Sequence, residues 1–113
     1  MTSSPAVPAV LAVTTTTDSR EAALALARGA VEARLAACAQ VTGPVTSVYH
    51  WQGAVETAEE WRVDLKTTTA RYPALEAHLL AAHGYDVPEL LAVPVAAGSA
   101  AYLEWLENEV RPV

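Results

Sequence analysis

The chain has 113 residues, 7 Lys+Arg against 13 Asp+Glu for a net charge of −6, 52% hydrophobic residues and a single cysteine. That length allows one domain with a real core but not two. The acidic balance excludes both the electrostatic footprint of a nucleic-acid binder and the basic face of a membrane-surface protein.

One cysteine rules out an internal disulfide and fits a reducing compartment. The N-terminal MTSSPAVPAVLAV has no basic n-region, and Pro5 and Pro8 interrupt its apolar run, so it is a poor signal peptide. No apolar stretch reaches the roughly 18 residues of a spanning helix. The expectation is a cytoplasmic protein with a flexible tail over residues 1–8 and one domain over residues 9–113. The β-branched residues 10–16 predict a first strand. The threonine run at 14–17 reads as the end of that strand rather than as a nucleophile cluster. Asp18 and Glu21 form a D-x-x-E capping box that opens a helix to about Leu35, with Leu24, Ala27, Val31 and Leu35 at helical spacing.

Residues 37–51 and 55–69 then predict two unusually long strands joined at Gln52-Gly53. Each arm is about 15 residues and would run to about 50 Å at 3.3 Å per residue. A compact domain of this size has a radius of gyration near 13 Å, so one copy cannot cover such a hairpin. If Trp51 pairs with Ala54, then Val45 faces Glu60, and an uninterrupted ladder would mix apolar and charged residues on one face. A one-residue bulge at Gly43-Pro44 repairs this, setting Val41 opposite Val63 and Ala39 opposite Leu65. One face then carries Ala37, Ala39, Val41, Trp61, Val63 and Leu65 and should hold the helices. The other carries Cys38, Gln40, Thr42, Arg62, Asp64 and Lys66.

Pro73 suits the first turn of a second helix with Leu75, Leu79 and Ala82 as its stripe, stopping at Gly84 after His83. Residues 89–96 (ELLAVPVA) form a fourth strand apolar on both faces, as a strand covered on both sides would be. Gly98-Ser99 caps a last helix bearing Tyr102, Trp105 and Leu106. The order β-α-β-β-α-β-α makes an α+β chain. Its first six elements suggest a ferredoxin-like βαββαβ sandwich, here with a long bulged hairpin and an extra C-terminal helix. The long hairpin and the doubly apolar fourth strand both favour oligomerisation through the sheet.

A-A-C-A (36–39), Y-x-W-x-G (Tyr49, Trp51, Gly53), L-K-T (65–67), H-x-Y-x-x-P-E (His83, Tyr85, Pro88, Glu89) and Y-L-x-W-L (102–106) occur in one order. In this the chain resembles the CutA family of divalent-cation tolerance proteins over about residues 10–109. The resemblance implies a ferredoxin-like subunit in a PII-like homotrimer, its hairpins packed on neighbouring subunits. It also implies tolerance of copper or other divalent metals, with copper binding proposed; the expectation of no nucleic-acid and no membrane partner comes from the charge balance alone. By residue type, Trp51, Glu59, Lys66, Tyr85 and Glu89 match the family's inter-subunit cleft, which interface packing would also explain.

Cys38 is the softest metal donor, and Lys66 opposite it would favour the thiolate that binds copper or zinc. His83 is the second metal candidate, although its place at a helix end also suits a capping role. His78 is five residues away, about 140° around the helix, so the two histidines cannot chelate together. There is no G-x-S-x-G elbow, no H-E-x-x-H and no glycine-rich phosphate loop, so no enzyme is expected. Three functions remain: a trimeric metal-binding tolerance protein, a PII-like trimer binding a small anion at its clefts, and a structural trimer scaffold.

Overall fold

In the computed structural model, which describes residues 9–112, the elements are β1 (Val10–Thr17), α1 (Arg20–Glu32), β2 (Cys38–Trp51), β3 (Ala54–Thr68), α2 (Tyr72–Ala82), β4 (Leu90–Pro94) and α3 (Ala100–Glu109). The expected tail over residues 1–8 lies outside the described residues. The four strands form one antiparallel sheet in the order β2-β3-β1-β4, the ferredoxin-like arrangement expected from the element order.

β-branched residues hold the central strands, and their alternation sends Val13, Val63 and Leu65 into a core with Leu75 and Leu79 of α2. Ala23, Leu26, Ala27 and Ala30 supply the α1 side of this core. Three of those four are alanine, so the helix axis can approach the sheet closely. The predicted stripe is rotated: Leu24 and Val31 are exposed, and α1 ends at Glu32 rather than near Leu35, which is buried beyond the helix. The cap also moves by one residue. Ser19, in extended backbone, accepts a hydrogen bond from the Ala22 N–H at 3.0 Å, satisfying an N-terminal amide that the helix cannot.

The hairpin has the expected register. Trp51 pairs with Ala54, Val45 with Glu60, Val41 with Val63, Ala39 with Leu65 and Cys38 with Lys66, with the irregularity between Thr42 and Val45. Gln52 and Gly53 both take positive φ, 50° and 82°, as the tight turn of a two-residue hairpin demands. The molecule is 52 Å long with a radius of gyration of 15.6 Å, stretched by the hairpin beyond the roughly 13 Å of a compact domain. The bulge shifts β2 by one residue, so Val45, Ser47, Tyr49 and Trp51 share the sheet face of Glu60, Arg62, Asp64 and Lys66.

Pro73 lies in the first turn of α2, Leu75 and Leu79 are buried, and Ala82 is exposed, so the stripe is one residue shorter than predicted. The chain leaves the helix at His83, whose backbone is extended. Ser99 caps α3 by accepting from the Tyr102 N–H at 3.4 Å. Leu106 and Val110 of the C-terminal end pack with Val10 and Ala37 in a second, smaller cluster. Ala37 therefore leaves the helix-bearing face assigned to it, because it precedes β2 and the alternation does not yet hold. β4 is shorter than residues 89–96. Its Leu91 and Val93 are 61% and 60% exposed, so a single chain does not cover the apolar strand on both sides.

Candidate functional site

The segment between α2 and β4 folds back over the sheet because three hydrogen bonds pin it to β1. The buried Thr15 hydroxyl donates to the Glu89 carbonyl at 2.7 Å. The Tyr85 N–H donates to His83 Nδ1 at 3.1 Å, which makes Nδ1 an acceptor and places the ring proton on Nε2. That Nε2–H donates to the Thr16 carbonyl at 2.8 Å, with Thr15 Oγ1 at 3.2 Å. Both ring nitrogens of His83 are thus engaged, and the residue staples the segment in place.

Tyr85, its ring 5.0 Å from that of His83, is carried over Glu60 on β3 and donates its hydroxyl proton to Glu60 Oε2 at 2.9 Å. Glu60 is 8% exposed. Burial, and then this hydrogen bond to a carboxylate, raise the Tyr85 phenol well above the ordinary value of 10. A phenol that ionises less readily when folded contributes stability that is complete below the unfolded value and is lost as pH rises through the folded one. Tyr85→Phe should therefore remove the most alkaline step from an ultraviolet tyrosinate titration. It should also flatten the fall in stability above pH 10. An unchanged titration would show that Tyr85 is not held by Glu60.

Beneath this segment lies an open cleft of about 670 Å³ lined by residues of the hairpin, β1 and the segment itself. Trp51, Tyr85 and Glu89 of the sequence candidates stand on its wall, together with Tyr49, Glu60 and Asp86. Glu59 pairs with Thr46, whose side of the hairpin is opposite to that of the cleft. Lys66 lies six residues beyond Glu60 on β3, about 20 Å away at 3.3 Å per residue, and faces Cys38. The cleft thus unites three of the five candidates. It adds Glu60, which the alternation of the bulged register could have found by following Tyr49 and Trp51 to the face of Glu60. Asp86 carried no periodic signal, since it lies in the irregular segment.

Cys38 is half-buried at the start of β2, its Sγ 3.3 Å from the Tyr102 hydroxyl. This contact, and then burial, raise the Tyr102 phenol. Cys38 and His83 are not brought together. Lys66, the pairing partner of Cys38, and Arg62, that of Thr16 beside His83, are four residues or about 13 Å apart on β3. Arg62 pairs with Asp64 at 3.2 Å, and Asp64 accepts from Thr14 at 2.8 Å. Among the described residues no group of three or more His, Cys, Asp and Glu could hold a metal ion, and no helix is long and apolar enough to cross a membrane.

Residues 11–109 match the family described as CutA1 divalent ion tolerance protein. The chain is 44% identical over 93 residues to the divalent-cation tolerance protein CutA of Thermus thermophilus, covering 82% of this chain and 90% of the relative. It is 38% identical to that of Pectobacterium atrosepticum over 98% of this chain and all of the relative. A chloroplastic CutA of Arabidopsis thaliana is 41% identical over 96% of this chain, which spans only 59% of that relative's length. Among solved structures, the Thermus thermophilus protein superimposes with a TM-score of 0.86 at 41% identity, covering 88% of this chain and 97% of the other. CutA1 from Oryza sativa gives 0.89 at 38%, covering 93% and 96%. With the family matched over residues 11–109 and relatives at 38–44% identity covered almost throughout, the chain belongs to the CutA1 divalent ion tolerance family.

Proposed function

We propose that this protein is a cytoplasmic homotrimer that binds a divalent metal, copper before zinc, and contributes to divalent-cation tolerance as a binding protein rather than an enzyme. The observation that carries divalent-cation tolerance is the family match over residues 11–109, and the lining of the cleft speaks against an anion. Glu60, Asp86 and Glu89 stand there, and none of the lining residues is Lys or Arg. That charge works against the alternative of a PII-like trimer holding a small anion, because a buried carboxylate repels one. The uncovered apolar side chains of β4 support assembly. Soft donors suit copper, and one chain offers a single thiol, Cys38. Several copies meeting through the sheet would supply more than one.

His83 is the weaker of the two proposed metal ligands, since binding at Nδ1 would displace the Tyr85 N–H and binding at Nε2 would displace its own proton. Calorimetric titration of tag-free protein with Cu²⁺, Zn²⁺ and a nucleotide panel tests the reading. Metal heat is expected, lost in Cys38→Ser and largely kept in His83→Ala, with no nucleotide binding. Metal heat that survives both substitutions together would sink the ligand assignment. Nucleotide binding without metal binding would favour the anion reading, and the absence of both would favour a structural scaffold.

A further inference from the structure

We propose that α3 is a detachable strap and that Arg34 is its latch, so that the helix leaves the domain as a unit while the rest stays folded. The inference rests neither on metal binding nor on the cleft. It starts from the backbone of Arg34, the second residue after α1, whose φ of 58° lies in the left-handed region where glycine commonly ends a helix. The Arg34 N–H donates to the Val31 carbonyl at 3.0 Å, and the Leu35 and Ala36 N–H groups both donate to the Ala30 carbonyl, at 3.0 and 3.3 Å. Glycine would close this turn without strain, so the closure itself does not call for arginine. What the side chain reaches does.

Arg34 Nη1 donates to the Glu109 carbonyl at 3.3 Å and to Glu109 Oε2 at 3.4 Å. Glu109 is the last residue of α3, so the guanidinium sits at the negative end of that helix's dipole. The Arg34 carbonyl in turn accepts from Arg71 Nη2 at 3.4 Å, and Arg71 stands at the N-cap of α2. One residue thus ties together the ends of all three helices. Arg71 Nε is buried without a hydrogen-bond partner, the one such side-chain atom among the described residues. The Arg71 guanidinium is therefore held toward Arg34 with a donor left unmet, an arrangement that costs free energy. Leu106 is the only buried residue of α3, and it packs with Val110, Val10 and Ala37 in the small cluster apart from the main core. A segment held by few buried apolar contacts opens locally before the whole domain unfolds. Copies meeting through the sheet would add contacts there, whereas the latch lies within one chain and joins α3 to the helix layer. Both latch side chains are partly exposed, so dissolved salt screens the pair. Opening carries Tyr102 away from Cys38, whose Sγ lies 3.3 Å from its hydroxyl, so the latch decides whether the lone thiol keeps that partner.

The test follows backbone hydrogen exchange by mass spectrometry in the full chain, in whatever assembly it adopts, comparing α3 with α1 and β3. In Arg34→Gly, α3 should exchange at least about threefold faster while α1 and β3 keep the parental rate. Glu109→Gln, which keeps the carbonyl acceptor, should act in the same direction and less strongly. Added to Arg34→Gly it should change nothing further, because its partner is already gone. Raising sodium chloride from about 0.05 to about 0.5 M should speed α3 exchange in the parent and not in Arg34→Gly. An α3 that keeps the parental rate in Arg34→Gly, or a variant in which all elements speed up together, would overturn the proposal. So would a parent in which α3 exchanges only as slowly as β3 at every salt concentration. If Arg34→Gly does not fold, Glu109→Gln and the salt dependence of the parent decide the same question.

Discussion

Replacing Leu91 and Val93 together by aspartate should leave the protein in solution as an 11.9 kDa chain, where light scattering of the parent should give about three times that mass. Both side chains lie on the sheet face of Thr14 and Ala12, and both are about 60% exposed in one chain. Burying a Leu or Val against a partner contributes roughly 1.5–3 kcal/mol each. In a trimer the gain recurs in every copy, and aspartate reverses its sign by burying an unpaired charge. Within the chain the cost should be small, because β4 is an edge strand and both positions point away from the core. Circular dichroism should therefore stay that of a folded α+β protein while the mass falls. A parent that is already monodisperse at 11.9 kDa would remove the trimer, and a variant that keeps the parental mass would place the interface elsewhere.

Gly43→Ala should destabilise the protein by about 1–3 kcal/mol, a large effect for one methyl group at an exposed position. A Cβ at residue 43 would stand 2.5 Å from Trp61 Cδ1 and 2.7 Å from its Cγ. Trp61 packs against the main core, so its indole has no free end to swing aside. Either the ring leaves its packing or the bulge opens. Urea unfolding should show a lower midpoint at an unchanged slope. A midpoint equal to that of the parent would mean that the indole can yield, and that the glycine is there for another reason.

The hairpin was legible to the residue because two independent constraints act on it. Alternation assigns faces, and only a bulge reconciles the Gln52-Gly53 turn with an apolar pairing of Val41 and Val63. Helix α1 was less legible because it is rich in alanine. Its apolar residues are so many that Leu24–Ala27–Val31 and Ala23–Leu26–Ala27–Ala30 both make stripes, and packing on the sheet selects the second. Asp18 and Ser19 are both good caps at adjacent positions, and only the backbone dihedrals separate them. The cleft was half visible. Trp51, Tyr85 and Glu89 were marked by resemblance, whereas Glu60 depends on the face that the bulge sets and Asp86 on an irregular segment that no period describes. The role of His83 rests on long-range hydrogen bonds to Thr15 and Thr16, 68 and 67 residues away in sequence, which no local pattern encodes.

The bulge divides β2 into two stretches written in opposite phase, while β3 keeps a single phase from end to end. Before Gly43 the even-numbered residues of β2 share a side with Asp64 and Lys66; after Pro44 the odd-numbered residues share a side with Glu60. The rules of substitution therefore invert midway along one strand. A polar replacement suited to an even position at Gln40 becomes an odd-position replacement at Ser47. Were the extra residue at 43–44 absorbed into an unbroken ladder with the Trp51–Ala54 pair held, the inner arm would turn over, setting Val41 opposite Asp64 and Ala39 opposite Lys66. One glycine and one proline thus hold the two halves of the strand to different readings, and which residues of the inner arm meet the core depends on that punctuation.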